Sequence, residues 1–242
     1  MALLEVKGLT KYFGGLMAVG EVDIAVEKGE VRGLIGPNGS GKTTIFNLVT
    51  GFYRPTSGSI RFKERNIVGL SPQRICRLGI GRTFQIAKPF HSMTVIQNTM
   101  VAAIYGKSGK GEKDPEKESV EILKLIELYE KRSRPVTSLT LADRKRLELA
   151  RALATGPELL LLDETVAGLN AVEVDAVIEQ LRKIRGMGVT IFMIEHVMRP
   201  IMTLSDRVTV IHHGKKIAEG KPSDIVNDKN VIDAYLGTEA VA

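Results

Sequence analysis

The sequence predicts an α/β fold with a mostly parallel core sheet, an N-terminal antiparallel β portion and an inserted α-helical lobe. Three observations predict it. Short apolar runs alternate with stretches of helical period, the pattern of strands joined by crossover helices. The opening part instead reads as short strands separated by Gly, Pro and Ser. Beyond about residue 84 the character turns almost wholly helical before the strand–helix alternation resumes.

In the opening part, residues 3–6, 22–26 and 59–62 alternate or cluster apolar side chains between turn residues. Val31–Ile35 is a short apolar strand that runs into a glycine-rich turn, and Lys42–Val49 follows as a helix. Residues 94–105 and 116–131 read as helices, the second with Val120, Leu123, Ile126 and Leu128 on one face. Between them, residues 107–117 form a charged, glycine-rich connector expected to be solvated. A helical segment then runs from 138 to 154, followed by an apolar strand at 159–162. The helix at 172–185 is expected to bury Val174, Val177, Ile178, Leu181 and Ile184, with Gly186 as its C-cap. Strand Thr190–Ile194 follows, and 208–211 turns through 212–214 to pair with 216–218. One domain over residues 1–242 is expected, with a core lobe at about 1–84 and 155–242 and a helical lobe at about 85–154.

Composition narrows the class. The chain has 242 residues, 43% apolar and 26% charged, which is ordinary for a globular protein. No uninterrupted apolar stretch approaches the roughly 20 residues needed to cross a bilayer, and the N-terminus lacks the pattern of a signal peptide. A single cysteine, Cys76, cannot form an internal disulfide, which suits a reducing compartment. The expected location is therefore the cytoplasm. A net charge of +6 favours polyanions, but aromatics are only 5% and the basic residues are scattered, so no nucleic-acid groove is indicated.

The segment Gly36-Pro37-Asn38-Gly39-Ser40-Gly41-Lys42-Thr43-Thr44 matches G-x-x-x-x-G-K-[ST], between an apolar strand and a helix. Glycines let successive N–H groups point into one concavity, and the helix N-terminus adds partial positive charge. Lys42 supplies a full charge at the β- and γ-phosphates, and the Thr43 hydroxyl is a ligand for Mg²⁺. ATP and Mg²⁺ are the expected cofactors. The second acid comes from Asp163-Glu164, at the end of the apolar strand 159–162, where open α/β sheets bind ligands. Asp163 would hold Mg²⁺ through water, and Glu164 would polarise the attacking water as general base.

These residues resemble the ATP-binding subunits of ABC transporters, and the resemblance covers nearly the whole chain. It implies roles for further residues. Gln85, in Gly81-Arg82-Thr83-Phe84-Gln85, is similar to the family's Q-loop glutamine, which senses Mg²⁺ and the γ-phosphate. His196, in Ile194-Glu195-His196, is similar to the switch histidine, and Phe13, with Tyr12 as the alternative, to the aromatic that stacks on adenine. Ala150-Arg151-Ala152-Leu153-Ala154, Ala167-Gly168-Leu169-Asn170 and the run from His213 to Gly220 resemble importers of branched-chain amino acids; related importers take other amino acids, amides or urea. The implied partners are a second ATP-binding subunit, two transmembrane permease subunits and, indirectly, a solute-binding protein. The implied location is peripheral, on the inner face of the cell membrane. In the segment 86–95, directly after Gln85, the apolar Ile86, Pro89, Phe90, Met93 and Val95 fall where the family docks a helix of the membrane subunit; simple packing of the helical lobe explains them as well.

One motif departs from the family. Its signature, L-S-G-G-Q in common form, faces the γ-phosphate of ATP held by a partner subunit. The matching stretch here is Leu139-Thr140-Leu141-Ala142-Asp143. Thr140 keeps a hydroxyl, and T-x-x-D satisfies the rule for a capped helix start. Ala142 adds a methyl where backbone would approach closely. Asp143, if it faces the site, would repel the phosphate unless a nearby cation compensates. Either this wall is weakened and an unlike pair hydrolyses ATP asymmetrically, or the hydroxyl and helix dipole suffice. The surviving cap favours the second reading. Thr165 and Asn170 also replace the family's usual proline and aspartate, without removing an obvious catalytic group.

Two other functions share the phosphate loop. A nucleic-acid-associated ATPase stays open through the basic charge, though this chain lacks long coiled-coil inserts or a second ATPase unit. A small-molecule kinase would leave Gln85, Thr140 and His196 unexplained. His212-His213 lacks the spaced partners of a metal site, and Met198 and Met202 read as core filling.

Overall fold

The computed structural model describes residues 2–84, 89–106 and 114–236. In chain order the first elements are β1 (Ala2–Phe13), β2 (Leu16–Glu27), β3 (Val31–Ile35), α1 (Lys42–Val49), β4 (Ser57–Phe62), β5 (Arg65–Asn66), α2 (Pro72–Leu78) and β6 (Ile80–Arg82). Then come α3 (Val95–Tyr105), α4 (Pro115–Leu125), α5 (Leu141–Ala154), β7 (Leu159–Asp163) and α6 (Ala171–Gly186). The chain continues with β8 (Thr190–Ile194), α7 (Met198–Leu204), β9 (Arg207–His212), β10 (Lys215–Gly220), α8 (Pro222–Ile225) and α9 (Lys229–Leu236).

The chain divides into two compact units, one of residues 1–75 and 190–242, the other of residues 76–189. In the first unit, β2, β1, β4 and β5 form an antiparallel sheet in that order. β3 pairs in parallel with both β8 and β9, and β10 closes on β9 antiparallel. All five residues of β3 and of β8 are buried, as expected of strands covered on both faces; in β3 these include Arg32, whose guanidinium pairs with Glu30 and Glu219. Phe46 of α1 packs on Phe192 of β8 with ring centroids 5.0 Å apart.

The second unit contains the parallel pair β6–β7 and the mutually packed helices α3, α4 and α5, so it extends beyond residues 85–154 to include α6 and a pair of strands. Leu123, Ile126, Leu147, Leu149 and Leu153 are buried there. Each fully buried Leu or Ile contributes about 1.5–3 kcal/mol relative to exposure. That is several times an exposed helix pair's few tenths, so burial, not propensity, fixes these helices.

Several elements differ from the sequence expectation. β1 and β2 are twelve residues each, because strand pairing carries the ribbon past its buried part to the exposed Phe13 and Leu16, which pair with each other. The helix expected over 116–131 stops earlier. Glu127 takes φ +58° and Leu128 N–H returns to Leu123 O at 2.8 Å, a Schellman-type stop that still buries Leu128. The apolar period therefore outlives the helix. α6 runs through Gly186, so the cap falls on Met187 and the left-handed turn on Gly188. Helices α2, α7, α8 and α9 are short pieces without enough period to be legible. Met198 and Met202 of α7 are 38% and 40% exposed, so they are not core filling. Among the described residues, no helix is long and apolar enough to cross a membrane.

Candidate functional site

In the first unit the phosphate-loop segment joins the buried end of β3 to α1. Two glycines decide its path. Gly36 has φ +150°, and a Cβ there would lie 2.0 Å from Ile211 O; Gly41 has φ +108°, and its Cβ would lie 2.5 Å from Ala18 O. No side chain fits at either place. Gly41 is also the N-cap of α1, with no side-chain cap and no acidic residue in the first turn. Gly41 therefore offers the N–H groups that open this helix no side-chain cap.

Lys42 is buried, and its Nζ donates to Gly36 O at 2.7 Å, Pro37 O at 2.8 Å and Ser40 Oγ at 3.4 Å. The ammonium therefore sits inside the curve of the loop. Pro37 and Ser40 are buried, Asn38, Gly39 and Thr43 exposed, and Thr44 half-buried. Behind the loop, Gly214 N–H donates to Ser40 O at 2.9 Å and Gly20 N–H to Gly214 O at 2.8 Å. The β9–β10 turn and β2 thereby clamp the loop. Burial pushes the Tyr235 phenol of α9 up, and its hydrogen bond with the Gly36 backbone opposes that shift.

His196 and Phe13 belong to the same unit. Leu34 of β3 pairs with Ile194 of β8, so the exposed His196 leaves from the strand beside the one that feeds the loop. Phe13, at the end of the β1–β2 ribbon, is 41% exposed. Tyr53 meets it edge-on at 5.2 Å between centroids, and Lys11 Nζ lies 5.0 Å from its ring.

In the second unit, Asp163 ends β7 and is 1% exposed. Its Oδ2 accepts from Arg82 Nη2 at 2.9 Å, and its N–H donates to Thr83 Oγ1 at 3.0 Å. Oδ1 is buried without a hydrogen-bond partner. Such an atom costs about 1–3 kcal/mol and marks a place where another donor or a cation belongs. Burial raises the Asp163 carboxyl above its ordinary value, with Arg82 pulling it back and Glu164 adding to the rise. Burial lowers the Arg82 guanidinium for the same reason, against Asp163. Glu164 follows in the left-handed region, φ +52°, half-buried, and its carbonyl accepts from Lys145 Nζ at 2.8 Å.

The signature-like stretch opens α5. Thr140 Oγ1 accepts from Asp143 N–H at 3.2 Å and Asp143 Oδ2 accepts from Thr140 N–H at 3.4 Å, the reciprocal box expected from T-x-x-D. Asp143 is buried and also takes Lys131 Nζ at 2.6 Å. Burial pushes its carboxyl up, yet the bonds from Lys131 and Thr140 outweigh that and hold it below the ordinary range. Asp143 is thus a cap with its own cation. Thr140 is exposed and Ala142 half-buried. Gln85 lies outside the described residues, as do residues 86–88 of the expected docking segment and residues 107–113 of the connector. Pro89 and Val95 are buried while Phe90 is 44% exposed.

Sequence reasoning missed several groups around these residues. Arg82 and Thr83 were visible only as neighbours of Gln85, and nothing in their spacing points to Asp163. Lys131 reaches Asp143 from 12 residues away, beyond any helical period. Lys145 and Glu148 sat unremarked in a charged helix. His212 and His213 stack at 4.0 Å in the β9–β10 hairpin, and among the described residues no group of three or more His, Cys, Asp or Glu gathers as a metal set.

The family described as ABC transporter matches residues 19–167, and the one described as branched-chain amino acid ATP-binding cassette transporter matches residues 215–241. The high-affinity branched-chain amino acid transport ATP-binding protein LivG of Salmonella typhimurium is 42% identical, over 97% of this chain and 98% of that protein. LivG of Escherichia coli K12 is 41% identical over the same shares, and BraF of Pseudomonas aeruginosa 40%. Among solved structures, the ADP conformation of an ATP-binding cassette of an ABC transporter superposes with a TM-score of 0.89 at 30% identity, covering 98% of this chain and 99% of that one. A nucleotide-free cassette gives 0.88 at 30% identity, covering 97% and 99%.

Proposed function

The chain belongs to the ABC transporter family of ATP-binding subunits, and from that premise we propose that it hydrolyses ATP to power import of branched-chain or related amino acids. One observation carries the choice of solute: the C-terminal residues 215–241 match the branched-chain amino acid branch specifically. The relatives named for this transport are similar to this chain over nearly their whole length. The working assembly pairs this chain with a second ATP-binding subunit, the same or unlike, and with two permease subunits that receive solute from a binding protein. The chain then works at the inner face of the membrane.

The residues divide the labour by chemistry. In the first unit, the backbone of 36–44 and the Lys42 ammonium bind the phosphates, Phe13 stacks on adenine, and His196 contacts the γ-phosphate. In the second unit, Glu164 takes the proton of the attacking water, and Gln85 reports the γ-phosphate. Thr140, Ala142 and Asp143 contribute the wall offered to nucleotide held by the partner subunit. Because Asp143 is already neutralised by Lys131, the γ-phosphate meets the Thr140 hydroxyl and the helix dipole rather than a bare carboxylate.

Mg²⁺ fits Asp163 on one observation: Oδ1 is buried and unpartnered, while Arg82 occupies Oδ2. Asp163, through water, with Thr43 and Gln85 would hold the ion, which when bound neutralises charge on the β- and γ-phosphates.

The test is reconstitution with the membrane subunits in vesicles, with ATP supplied on the side of this chain. ATP-dependent uptake of labelled leucine, absent without this subunit, is the expected result. Turnover stimulated by duplex DNA or RNA and indifferent to the permease would overturn it.

A further inference from the structure

Helix α5 carries an acid where packing alone asks for none. Glu148 is 6% exposed. Burial raises its carboxyl above the ordinary range; the Phe84 N–H, Lys145 and Arg151 oppose the rise, and Asp163 adds to it. Burying a carboxylate is unfavourable unless it makes bonds that nothing else can make. Here Oε1 accepts the main-chain N–H of Phe84 at 2.8 Å. The Phe84 ring is 42% exposed, with the Arg82 guanidinium over it at 5.0 Å. Three residues earlier on the helix, Lys145 Nζ donates to Glu164 O at 2.8 Å. Positions three apart lie on one helix face.

These two bonds converge on neighbouring strand ends. β6 and β7 are paired in parallel, Thr83 N–H donates to Leu161 O at 2.9 Å, and Thr83 Oγ1 accepts from Asp163 N–H at 3.0 Å. Phe84 is the residue after that junction on one strand, and Glu164 the residue after it on the other. We propose that Glu148 and Lys145 are positioning residues: one face of α5 fixes the main chain where it leaves β6 and where it leaves β7. Glu164 adopts a left-handed conformation without being glycine, a backbone state that needs an external hold. Lys145 on its carbonyl supplies one. A shift of α5 then moves the catalytic carboxylate through its backbone rather than through its side chain. This consequence rests on the ATPase reading; the two bonds do not.

The experiment has two arms. In the first, amide hydrogen exchange at Phe84 is measured without nucleotide in the wild type, Glu148→Gln and Glu148→Leu. Gln keeps an acceptor oxygen at the same reach and leaves exchange unchanged; Leu removes it and raises exchange about tenfold, the effect of losing roughly one hydrogen bond. Unchanged exchange in Glu148→Leu, or equal loss in Glu148→Gln, overturns the role of Glu148. Should the Leu variant fail to fold, Glu148→Ala serves in its place with the same two readings. In the second arm, Lys145→Met lowers kcat at least about tenfold, the loss of one charge-assisted hydrogen bond, with the KM for ATP unchanged, and Lys145→Arg restores it. A rise in KM with kcat intact, or no rescue by Arg, overturns the role of Lys145. If the wild type itself lacks turnover, the ATPase reading fails while the exchange arm still decides the geometry.

Discussion

Two helices in this protein begin in opposite ways. α1 starts at Gly41, which offers no side-chain cap, and has no acid in its first turn. α5 starts at Thr140 with a reciprocal box, and Asp143 in its first turn is buried and bound by Lys131. Both ends carry the same partial positive charge. The difference is who receives it. Around α1 the chain withholds its own oxygens and folds Lys42 inward, so the N-terminus keeps its capacity for an external anion. Around α5 the chain's own carboxylate, held by Lys131, takes up part of that capacity, and the exposed Thr140 hydroxyl faces outward with the rest. A helix N-terminus becomes an anion site by what its neighbours omit.

The contrast can be broken from either side. The largest effect is expected at α1. Gly41→Ser would offer a side-chain cap, but its Cβ meets Ala18 O at 2.5 Å and its φ is +108°; ATP binding, read by nucleotide titration, should fall below detection. Lys42→Ala removes the charge while leaving the loop glycines, and affinity should fall about 100-fold or more, the loss of two charge-assisted bonds. Retained wild-type affinity would sink the assignment of the loop.

Next comes the water-activating acid. Glu164→Gln should keep ATP affinity while kcat drops by about 10²–10⁴, the usual contribution of a general base. Unchanged turnover would show that the water is activated elsewhere. At α5 the effects are smaller. Thr140→Ala removes half the box and should cost about 1 kcal/mol of stability, read as a lower unfolding midpoint in urea, with ATP affinity at the chain's own phosphate loop unchanged. A fall in that affinity would contradict the separation drawn between the two helix starts.

The smallest effect concerns pH. Asp143 is held below its ordinary pKa, so the stability it contributes is present above the ordinary carboxylate range and is lost as pH falls through the lowered value. Lys131→Met should flatten that acid-side loss by less than about 1 kcal/mol, because the Lys131 side chain is 37% exposed and partly screened by water. An unaltered acid limb in urea titrations would show that Thr140 alone holds the carboxylate down.

How much of this was legible depends on the distance over which each feature is decided. The phosphate loop is a contiguous run whose glycines, lysine and flanking elements act within nine residues, so the pattern was enough. β7 and β8 were readable because strands buried on both faces are nearly continuous apolar runs, and β3, despite its buried Arg32, because a glycine-rich loop and a helix follow it. The cap at Thr140 was readable because its partner lies three residues on. The early stop of α4 was not, since Glu127 is no glycine and the apolar period continues to Leu128. The short helices α2, α7, α8 and α9 offered too few turns to show a period.

By itself the sequence determined the strand–helix alternation, the loop that takes phosphate and the acids at the end of β7, all of which rest on local chemistry. Only the tertiary structure decided that Asp143 is neutralised by Lys131, that Arg82 takes one oxygen of Asp163 and leaves the other, and that Glu148 and Lys145 hold main chain far from them in sequence. Those are pairings of charged side chains with groups distant in sequence, two with another side chain and two with main chain. They exist only once burial has raised the cost of every polar group left alone, and no residue pattern records which group will answer which.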